Sequence, residues 1–147
     1  MTNAAPAPQP TPTRTLYTPE MLSLATRLGE FRWDDALPLR GEARSRSCGS
    51  RIELSLAIDG YGRITALGLR PHACAVGQAA AALFAQSAQG RTAAELAESC
   101  VALTAWLAGE GEVPDWPGIA VLEPARAYPA RHAAILLAWE AALVALA

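Results

Sequence analysis

The spacing of apolar residues along the chain changes several times, and each change predicts a secondary-structure element. From residue 19, in PEMLSLATRLG, apolar residues recur three and four positions apart, which predicts an amphipathic helix. Thr18 fits the N-cap of this helix and Pro19 its first position, while Gly29 fits its end. The ordered part of the chain therefore begins with a helix.

A two-residue period follows and predicts a small antiparallel sheet. RIELSLAID alternates apolar with other residues, and the turn DGYG at 59–62 joins it to a second strand, RITALGLRP, in a hairpin. Residues 41–47 are predicted to add a third, polar edge strand. The residues predicted to share the apolar face of RIELSLAID are Ile52, Leu54, Leu56 and Ile58.

The rest of the chain is predicted to be mainly helical. Residues 73–88 are rich in alanine and predict a helix that packs closely against a neighbour. A capping box from Thr92 to Glu95 opens a second helix, and a last helix is predicted from about Ala125 to Ala147. The fold class that follows is α+β, a small antiparallel sheet of about three strands with helices packed on one face.

Length and charge narrow the possible roles. A chain of 147 residues fits one domain, predicted at residues 16–147, after an Ala/Pro/Thr tail at 1–15 that we expect to be disordered. The net charge is −2 and no basic stripe is present, which argues against a nucleic-acid partner. The longest apolar stretch, HAAILLAWEAALVALA, is interrupted by Glu140 and is short for a membrane span. We therefore expect a cytoplasmic protein without a membrane segment.

Two of the three cysteines stand where secondary-structure elements begin. Cys48 lies in a Ser/Gly turn beside Arg46 and Arg51, and Cys74 lies at the start of the alanine-rich helix. Positive charge and a helix N-terminus both favour the thiolate form. If the hairpin brings the start of one strand beside the end of the next, the two sulfur atoms become neighbours. The alternative, two unrelated half-buried thiols, stays open on spacing alone.

The other metal-binding residue types are less clearly placed by the sequence. Cys100 lies among apolar residues in the middle of a helix, so we expect it in or near the core. His72 precedes Cys74 by two residues and is either part of a site or a solvent-exposed loop histidine. His132, beside Arg131 at the start of the last helix, is either a ligand or a surface or capping residue.

The stretches SCGSRIELSLAID and GRITALGLRPHACAVGQAAAALFA resemble the iron–sulfur cluster assembly scaffold family, which includes the NifU N-terminal domain, IscU and SufU. That family has a Cys-Gly-Asp motif before a strand, a second cysteine at a helix start and a third at the start of the final helix. Cys48-Gly49 matches the first motif, Cys74 matches the second, and the surroundings of Arg131 resemble those of the third. The resemblance extends from Tyr17 to the C-terminus and implies a SufE/NifU-like fold.

Two departures from the family pattern affect the ligands. Ser50 replaces the aspartate, and the third cysteine is replaced by Ala134 or, one register earlier, by Ala133. A cluster held within one chain and a zinc site each require four ligands. Two copies of the chain sharing one cluster would supply four thiolates, so a homodimer is one solution. A site completed by His132, Ser50 or water is another.

The resemblance implies a scaffold-like protein and not an enzyme. Its cargo would be iron or an iron–sulfur cluster, alternatively zinc, held by Cys48 and Cys74 with His132 as an auxiliary metal ligand. Its partners would be a cysteine desulfurase that supplies sulfur and apo iron–sulfur proteins that accept the cluster. The alternatives are a degenerate protein-interaction module without metal and a SufU-like sulfur acceptor. An enzyme with Cys48 as nucleophile is least favoured, because neither histidine lies near it in sequence.

Overall fold

The computed structural model describes residues 16–46 and 49–147. The predicted tail at residues 1–15 lies outside the described residues, and so do Ser47 and Cys48. In chain order the elements are α1 (Pro19–Arg27), β1 (Leu39–Arg44), β2 (Arg51–Ile58), β3 (Ile64–His72), α2 (Ala75–Ser87), α3 (Ala93–Leu107) and α4 (His132–Leu146). Short 3-10 turns cover Leu28–Glu30, Ile119–Ala127 and Pro129–Arg131.

The strands form an antiparallel sheet in the order β1-β2-β3, with α4 packed along β1 and β2. This confirms the predicted α+β fold, although β1 begins two residues before the predicted edge strand. In β2 the side chains of Ile52, Leu54 and Leu56 are fully buried, as the two-residue period predicts. Charged residues occupy two of the intervening positions of β2, Arg51 and Glu53. Salt bridges join Glu53 to Arg51 and to Arg70 of β3.

The prediction was wrong for Ile58, which is 42% exposed. Ala57 pairs with Ala66, but Ile58 pairs with Ile64, so Thr65 is an extra residue in β3 and the register shifts there. A β-bulge of this kind rotates the residues beyond it relative to the preceding face of the strand. Ile58 lies at the end of β2, beyond this register shift, and is exposed there, unlike the other apolar residues of the strand.

The helix caps follow the sequence signals. The Thr18 hydroxyl accepts a hydrogen bond from the Met21 amide, and the Thr92–Glu95 capping box is formed in both directions. The first helix ends in a 3-10 turn at residues 28–30 that contains Gly29. These caps satisfy amide groups that the first turn of a helix leaves without partners.

The last helix begins at His132, and its predicted start near Ala125 was wrong. Residues 119–127 form 3-10 turns instead, and Tyr128 has φ −123° and ψ 79°. Pro129 explains the break, because a proline ring disfavours the α conformation in the residue before it and offers no N–H group. The α4 helix therefore starts only after this proline.

Small residues allow α4 to approach the sheet and α2 closely. A Cβ atom added at Gly41 of β1 would lie 2.7 Å from the Ala145 amide nitrogen of α4. In α2 the alanines at 79–82 are fully buried, which confirms the predicted close packing.

Among the described residues, Pro129–Leu146 is the one stretch long and apolar enough to cross a membrane, but here it contributes core residues. The buried residues of α4 are Ala134, Ile135, Leu137, Ala138, Trp139, Ala141, Ala142 and Ala145.

Three aromatic side chains fix α2 against α4. Phe84 stacks on Trp116 with ring centroids 5.6 Å apart, and both rings meet Trp139 edge-on at 5.1 Å. The Trp116 indole donates a hydrogen bond of 2.9 Å to the Leu83 carbonyl. The two tryptophans therefore belong to the core, and the helix pair that they join carries the candidate site at its other end.

Candidate functional site

The start of β2 and the end of β3 meet at one end of the sheet, because Arg51 pairs with His72. Gly49 and Ser50 lead into β2, and Cys74 follows β3. These segments and the start of α4 enclose an open depression of about 510 Å³. Its lining consists of Gly49, Ser50, Pro71, His72, Ala73, Cys74, Gln78 and Arg131. The hairpin thus brings Gly49 and Cys74 together, while Cys48, the neighbour of Gly49 in the chain, lies outside the described residues.

Cys74 is the N-cap residue of α2 and is half-buried. Its backbone is extended, with φ −64° and ψ 167°, and the first turn of α2 contains no acidic residue. The Gln78 side chain donates a hydrogen bond of 2.8 Å to the Ala73 carbonyl, which holds the turn before the helix. The thiol therefore lies at the positive end of a 13-residue helix, in a depression that Arg131 also lines.

Gly49 and Ser50 form the opposite wall. Gly49 is exposed and has φ +71°, a left-handed conformation that glycine adopts without steric cost. Ser50 is 4% exposed, and its carbonyl accepts a hydrogen bond of 2.8 Å from the Ser45 amide. Among the described lining residues none carries a carboxylate, whereas the scaffold family has aspartate at the position of Ser50. The described lining is thus neutral to positive.

The start of α4 contacts the start of α2 beside this depression. Ala134 is fully buried, and a Cβ atom added at Gly77 would lie 3.4 Å from its Cβ. Ala133 is only half-buried. Ala134 and Ala133 are the two alternative positions that the sequence resemblance gives for the third cysteine; Ala134 faces the helix contact, and Ala133 is the more accessible.

His132 is half-buried at the first position of α4 and is absent from the lining of the depression. Its Nε2 lies 3.1 Å from the Ala125 carbonyl oxygen and 3.2 Å from that of Arg126. Carbonyl oxygens only accept hydrogen bonds, so Nε2 carries the proton and donates to them. Only Nδ1 is then left with a lone pair for a metal.

His72, the other histidine, is exposed and lines the depression together with Cys74. The sequence allowed two interpretations of His72, a site residue or a solvent-exposed loop residue. In the structure His72 is exposed and also lines the depression. Within residues 16–46 and 49–147, no three His, Cys, Asp or Glu residues form a group that could hold a metal ion. The predicted ligand set includes Cys48 and therefore stays a prediction.

Cys100 is separate from this depression. It lies half-buried in α3 against the core, which confirms the near-core prediction. Burial, and secondly the negative charge of Glu140, raise the pKa of the Cys100 thiol, while a hydrogen bond with Thr104 lowers it. A thiol in this environment stays protonated at neutral pH, unlike a metal-binding thiolate.

Solved structures with the same fold include two proteins connected with iron–sulfur clusters or nitrogen fixation. A nitrogen-fixing NifU-like protein (N-terminal) from Brucella abortus matches with a TM-score of 0.83 and 29% identity, over 92% of this chain and 95% of that one. A protein described as an iron–sulfur cluster assembly scaffold for the SUF system (FiSufU), from the thermophilic Fervidobacterium islandicum AW-1, matches with a TM-score of 0.81 and 23% identity, over 92% and 99%. A hypothetical protein matches with a TM-score of 0.69 and 19% identity, over 86% and 96%.

No protein-family model matches the chain, and no curated protein matches its sequence. The structural matches nevertheless confirm the resemblance to the NifU-like and SufU proteins that the sequence indicates. One of these neighbours is described as an assembly scaffold, and at 23% identity that match shows a shared fold.

Proposed function

We propose that this chain, which has the fold of the NifU-like and SufU scaffold proteins, binds iron or an iron–sulfur cluster and passes it to acceptor proteins. The observation that carries the proposal is the shared depression of Gly49 and Cys74, since Gly49 is joined to Cys48. Cys48 and Cys74 are the proposed thiolate ligands, and His132 is an auxiliary ligand through Nδ1. Zinc is the alternative cargo, because it accepts the same ligand types.

The proposed partners and location follow from the scaffold resemblance. A cysteine desulfurase would supply sulfur, and apo iron–sulfur proteins would take the finished cluster, in the cytoplasm. Two copies of the chain would complete a four-thiolate site if they met at Cys48 and Cys74. We assign this function to one domain, residues 16–147, and no role to residues 1–15.

The test measures iron, zinc and acid-labile sulfide per chain after anaerobic purification and reconstitution. We expect stoichiometric metal in the wild type and loss of that metal in Cys48→Ser and in Cys74→Ser. Cys100→Ser is the matched control, because Cys100 lies outside the depression, and it should keep the metal. One metal site per two chains would identify the shared, dimeric arrangement.

A wild type without metal after reconstitution would contradict the proposal and leave a protein-interaction module. Equal loss in Cys100→Ser would contradict the choice of ligands, since it would indicate a general effect on the fold. The free energy of unfolding of each variant, measured in denaturant, separates the loss of a ligand from a general loss of folding.

The charge of the depression favours a second candidate function, that of a SufU-like sulfur acceptor. Arg131 lines the same depression as Cys74, and Cys74 is the N-cap of α2, the end of a helix that favours anions; a persulfide is anionic at neutral pH. In such a transfer the Cys74 thiolate attacks the outer sulfur of a desulfurase persulfide. A new S–S bond forms as the old one breaks, and the desulfurase thiolate leaves. Mass spectrometry of the metal-free protein after incubation with desulfurase and cysteine would detect the added sulfur atom.

A further inference from the structure

We infer that two copies of this chain associate through the open edge of β1, which joins their three-stranded sheets into one continuous sheet. The edge strand of a sheet presents backbone N–H and C=O groups that are able to pair with another strand. The two edges of this sheet differ. Within residues 16–46 and 49–147, β2 is the one strand that pairs with β1, whereas β3 also bonds to other segments of its own chain.

The edge of β3 is covered near both of its ends. The Leu69 amide donates a hydrogen bond of 2.8 Å to the Phe31 carbonyl. Near the start of β3, the Ile64 amide donates a hydrogen bond of 3.0 Å to the Arg91 carbonyl. Residues of the same chain therefore already occupy part of this edge, and β1 is the edge that a further strand would join.

The register between β1 and β2 identifies the backbone groups at the open edge. Just beyond β1, the Ser45 amide donates a hydrogen bond of 2.8 Å to the Ser50 carbonyl. In an antiparallel pair, residues that bond to the neighbouring strand alternate with residues whose N–H and C=O groups point away from it. The residues of β1 that point away from β2 are therefore Arg40, Glu42 and Arg44.

The same three residues carry charges of alternating sign. Their side chains lie on the sheet face opposite α4, because Gly41, which lies between two of them, packs against α4. Glu42 forms a salt bridge of 2.7 Å with Arg44, and its side chain is still 39% exposed. The side chain of Arg40 is 57% exposed. The open edge thus carries a positive, a negative and a positive group in a row.

This row is complementary to a second copy of itself in one antiparallel register. A twofold axis at Gly41 places Arg40 opposite Glu42 of the second copy, and Glu42 opposite its Arg40, so two pairs of opposite charge form. An axis at Glu42 would instead place Arg40 opposite Arg44 and Glu42 opposite itself. Like charges directly opposite each other are destabilising. The charges therefore favour the register that is centred on Gly41.

An exposed apolar residue lies beside the centre of this register. Val144 of α4 is 56% exposed, and it lines one open groove of about 440 Å³ together with Arg40, Gly41 and Glu42. Because α4 packs along β1 in each copy, pairing at Gly41 brings the two copies of Val144 toward the axis. Burial of this apolar surface would add to the backbone hydrogen bonds of the joined strands.

The association leaves the candidate site accessible. Arg44 pairs with Arg51, and Arg51 pairs with His72, so the depression lies at the Arg44 end of the sheet. An axis at Gly41 places the depressions of the two copies at opposite ends of the joined sheet. The association is thus independent of the proposed function, and a four-thiolate site shared by two copies would require a different contact.

The test measures the dissociation constant of the metal-free, reduced full-length protein by analytical ultracentrifugation. We expect the wild type to pass from monomer to dimer as its concentration rises. Arg40→Glu and Glu42→Arg should each raise the dissociation constant by about tenfold or more, because both opposite-charge pairs become like-charge pairs. An equimolar mixture of the two variants restores both opposite-charge pairs and should dimerise like the wild type. The matched control is Glu98→Arg, the same change of charge on the exposed face of α3, which should leave the dissociation constant unchanged.

Amide hydrogen exchange locates the contact within β1. The amides of Arg40 and Glu42 point to the open edge, so their protection should rise with protein concentration. The amides of Gly41 and Ala43 bond to β2 and should be protected at every concentration. These two amides are therefore internal controls in the same strand.

Four outcomes would overturn the inference. The first is a wild type that stays monomeric at every concentration. The second is a dimer that Arg40→Glu and Glu42→Arg leave unchanged, since its contact would lie elsewhere. The third is a dimer that Arg40→Glu strengthens, since this would indicate an axis at Glu42. The fourth is protection of the Arg40 and Glu42 amides at every concentration, since the chain itself would then cover the edge. Circular dichroism and denaturant unfolding verify that each variant is folded, and metal content, measured separately, tests the proposed function.

Discussion

Cys74 and Cys100 are both half-buried cysteines on helices, but their surroundings have opposite character. Cys74 caps the N-terminus of α2 in an open depression that Arg131 also lines. Cys100 lies in the middle of α3, packs against the core and is near Glu140. Exposure alone therefore does not separate a candidate ligand from a core thiol. The two kinds of thiol differ instead in their position along the helix and in the sign of the neighbouring charge.

The largest expected effect is selective protection of Cys74 by metal. Alkylation of the reduced protein, followed by peptide mass spectrometry, should modify Cys74 readily without metal and hardly at all after loading with Co²⁺ or iron. Bound metal occupies the sulfur lone pairs that attack the reagent. Cys100 should show the same slow modification under both conditions. Protection of both cysteines would remove the distinction between them.

Introducing a cysteine at the start of α4 tests which of two neighbouring positions is able to contribute a thiolate to the site. Ala133→Cys should raise the affinity for Co²⁺ by about tenfold or more, because residue 133 is partly accessible. Ala134→Cys should instead lower the free energy of unfolding by about 1–3 kcal/mol, because its sulfur would crowd the contact with Gly77. Metal titration and denaturant unfolding of both variants measure these effects. A gain of affinity in Ala134→Cys would show that the helix contact opens at that position.

A smaller effect is expected for the alkylation rate of Cys100. Burial and Glu140 raise the pKa of this thiol, so its thiolate fraction, and hence its rate, should still be rising at a pH where an ordinary thiol has levelled off. Glu140→Gln removes the negative charge and should shift the rate profile toward lower pH. Stopped-flow or quenched alkylation in the Cys48→Ser, Cys74→Ser background isolates Cys100. An unchanged profile would mean that burial alone raises this pKa.

The smallest effect concerns Glu140 and stability. Burial raises the pKa of Glu140 above its ordinary value of 4.5, so the folded state binds this proton more tightly than the unfolded state does. The resulting stabilisation is present at acid pH and is lost as the pH rises through the folded-state pKa. Glu140→Gln should therefore raise the free energy of unfolding at neutral pH, by less than about 0.5 kcal/mol because the side chain is partly exposed. Denaturant unfolding of both proteins at acid and neutral pH checks the sign.

Local signals in the sequence were enough for most of the fold. The alternation in β2, the turn at 59–62 and the caps at Thr18 and Thr92 each act over a few residues and were predicted correctly. The exposure of Ile58 was not predicted, because the alternation within β2 shows neither where the strand ends nor the extra residue in β3. The late start of α4 is encoded by Pro129, because a proline disfavours the α conformation in the residue before it.

The candidate site was only partly predictable. The sequence placed Cys74 at a helix start and suggested that the hairpin brings the two strand ends together. The hydrogen bond of His132 could not be predicted, because its acceptor, the Ala125 carbonyl, lies in a 3-10 turn where the sequence predicts an α-helix.

Because Arg51 pairs with His72, the depression lies at the end of the β2–β3 ladder, and it opens when that end of the hairpin unfolds locally. Local opening that separates the ends of β2 and β3 would also separate Gly49, the neighbour of Cys48 in the chain, from Cys74. Cargo that binds only the closed form therefore raises the free energy of this opening, by about 2.7 kcal/mol when its free concentration is 100 times its dissociation constant. Amide hydrogen exchange along the β2–β3 ladder would then report whether the chain is loaded, even where the cargo itself has no spectroscopic signal.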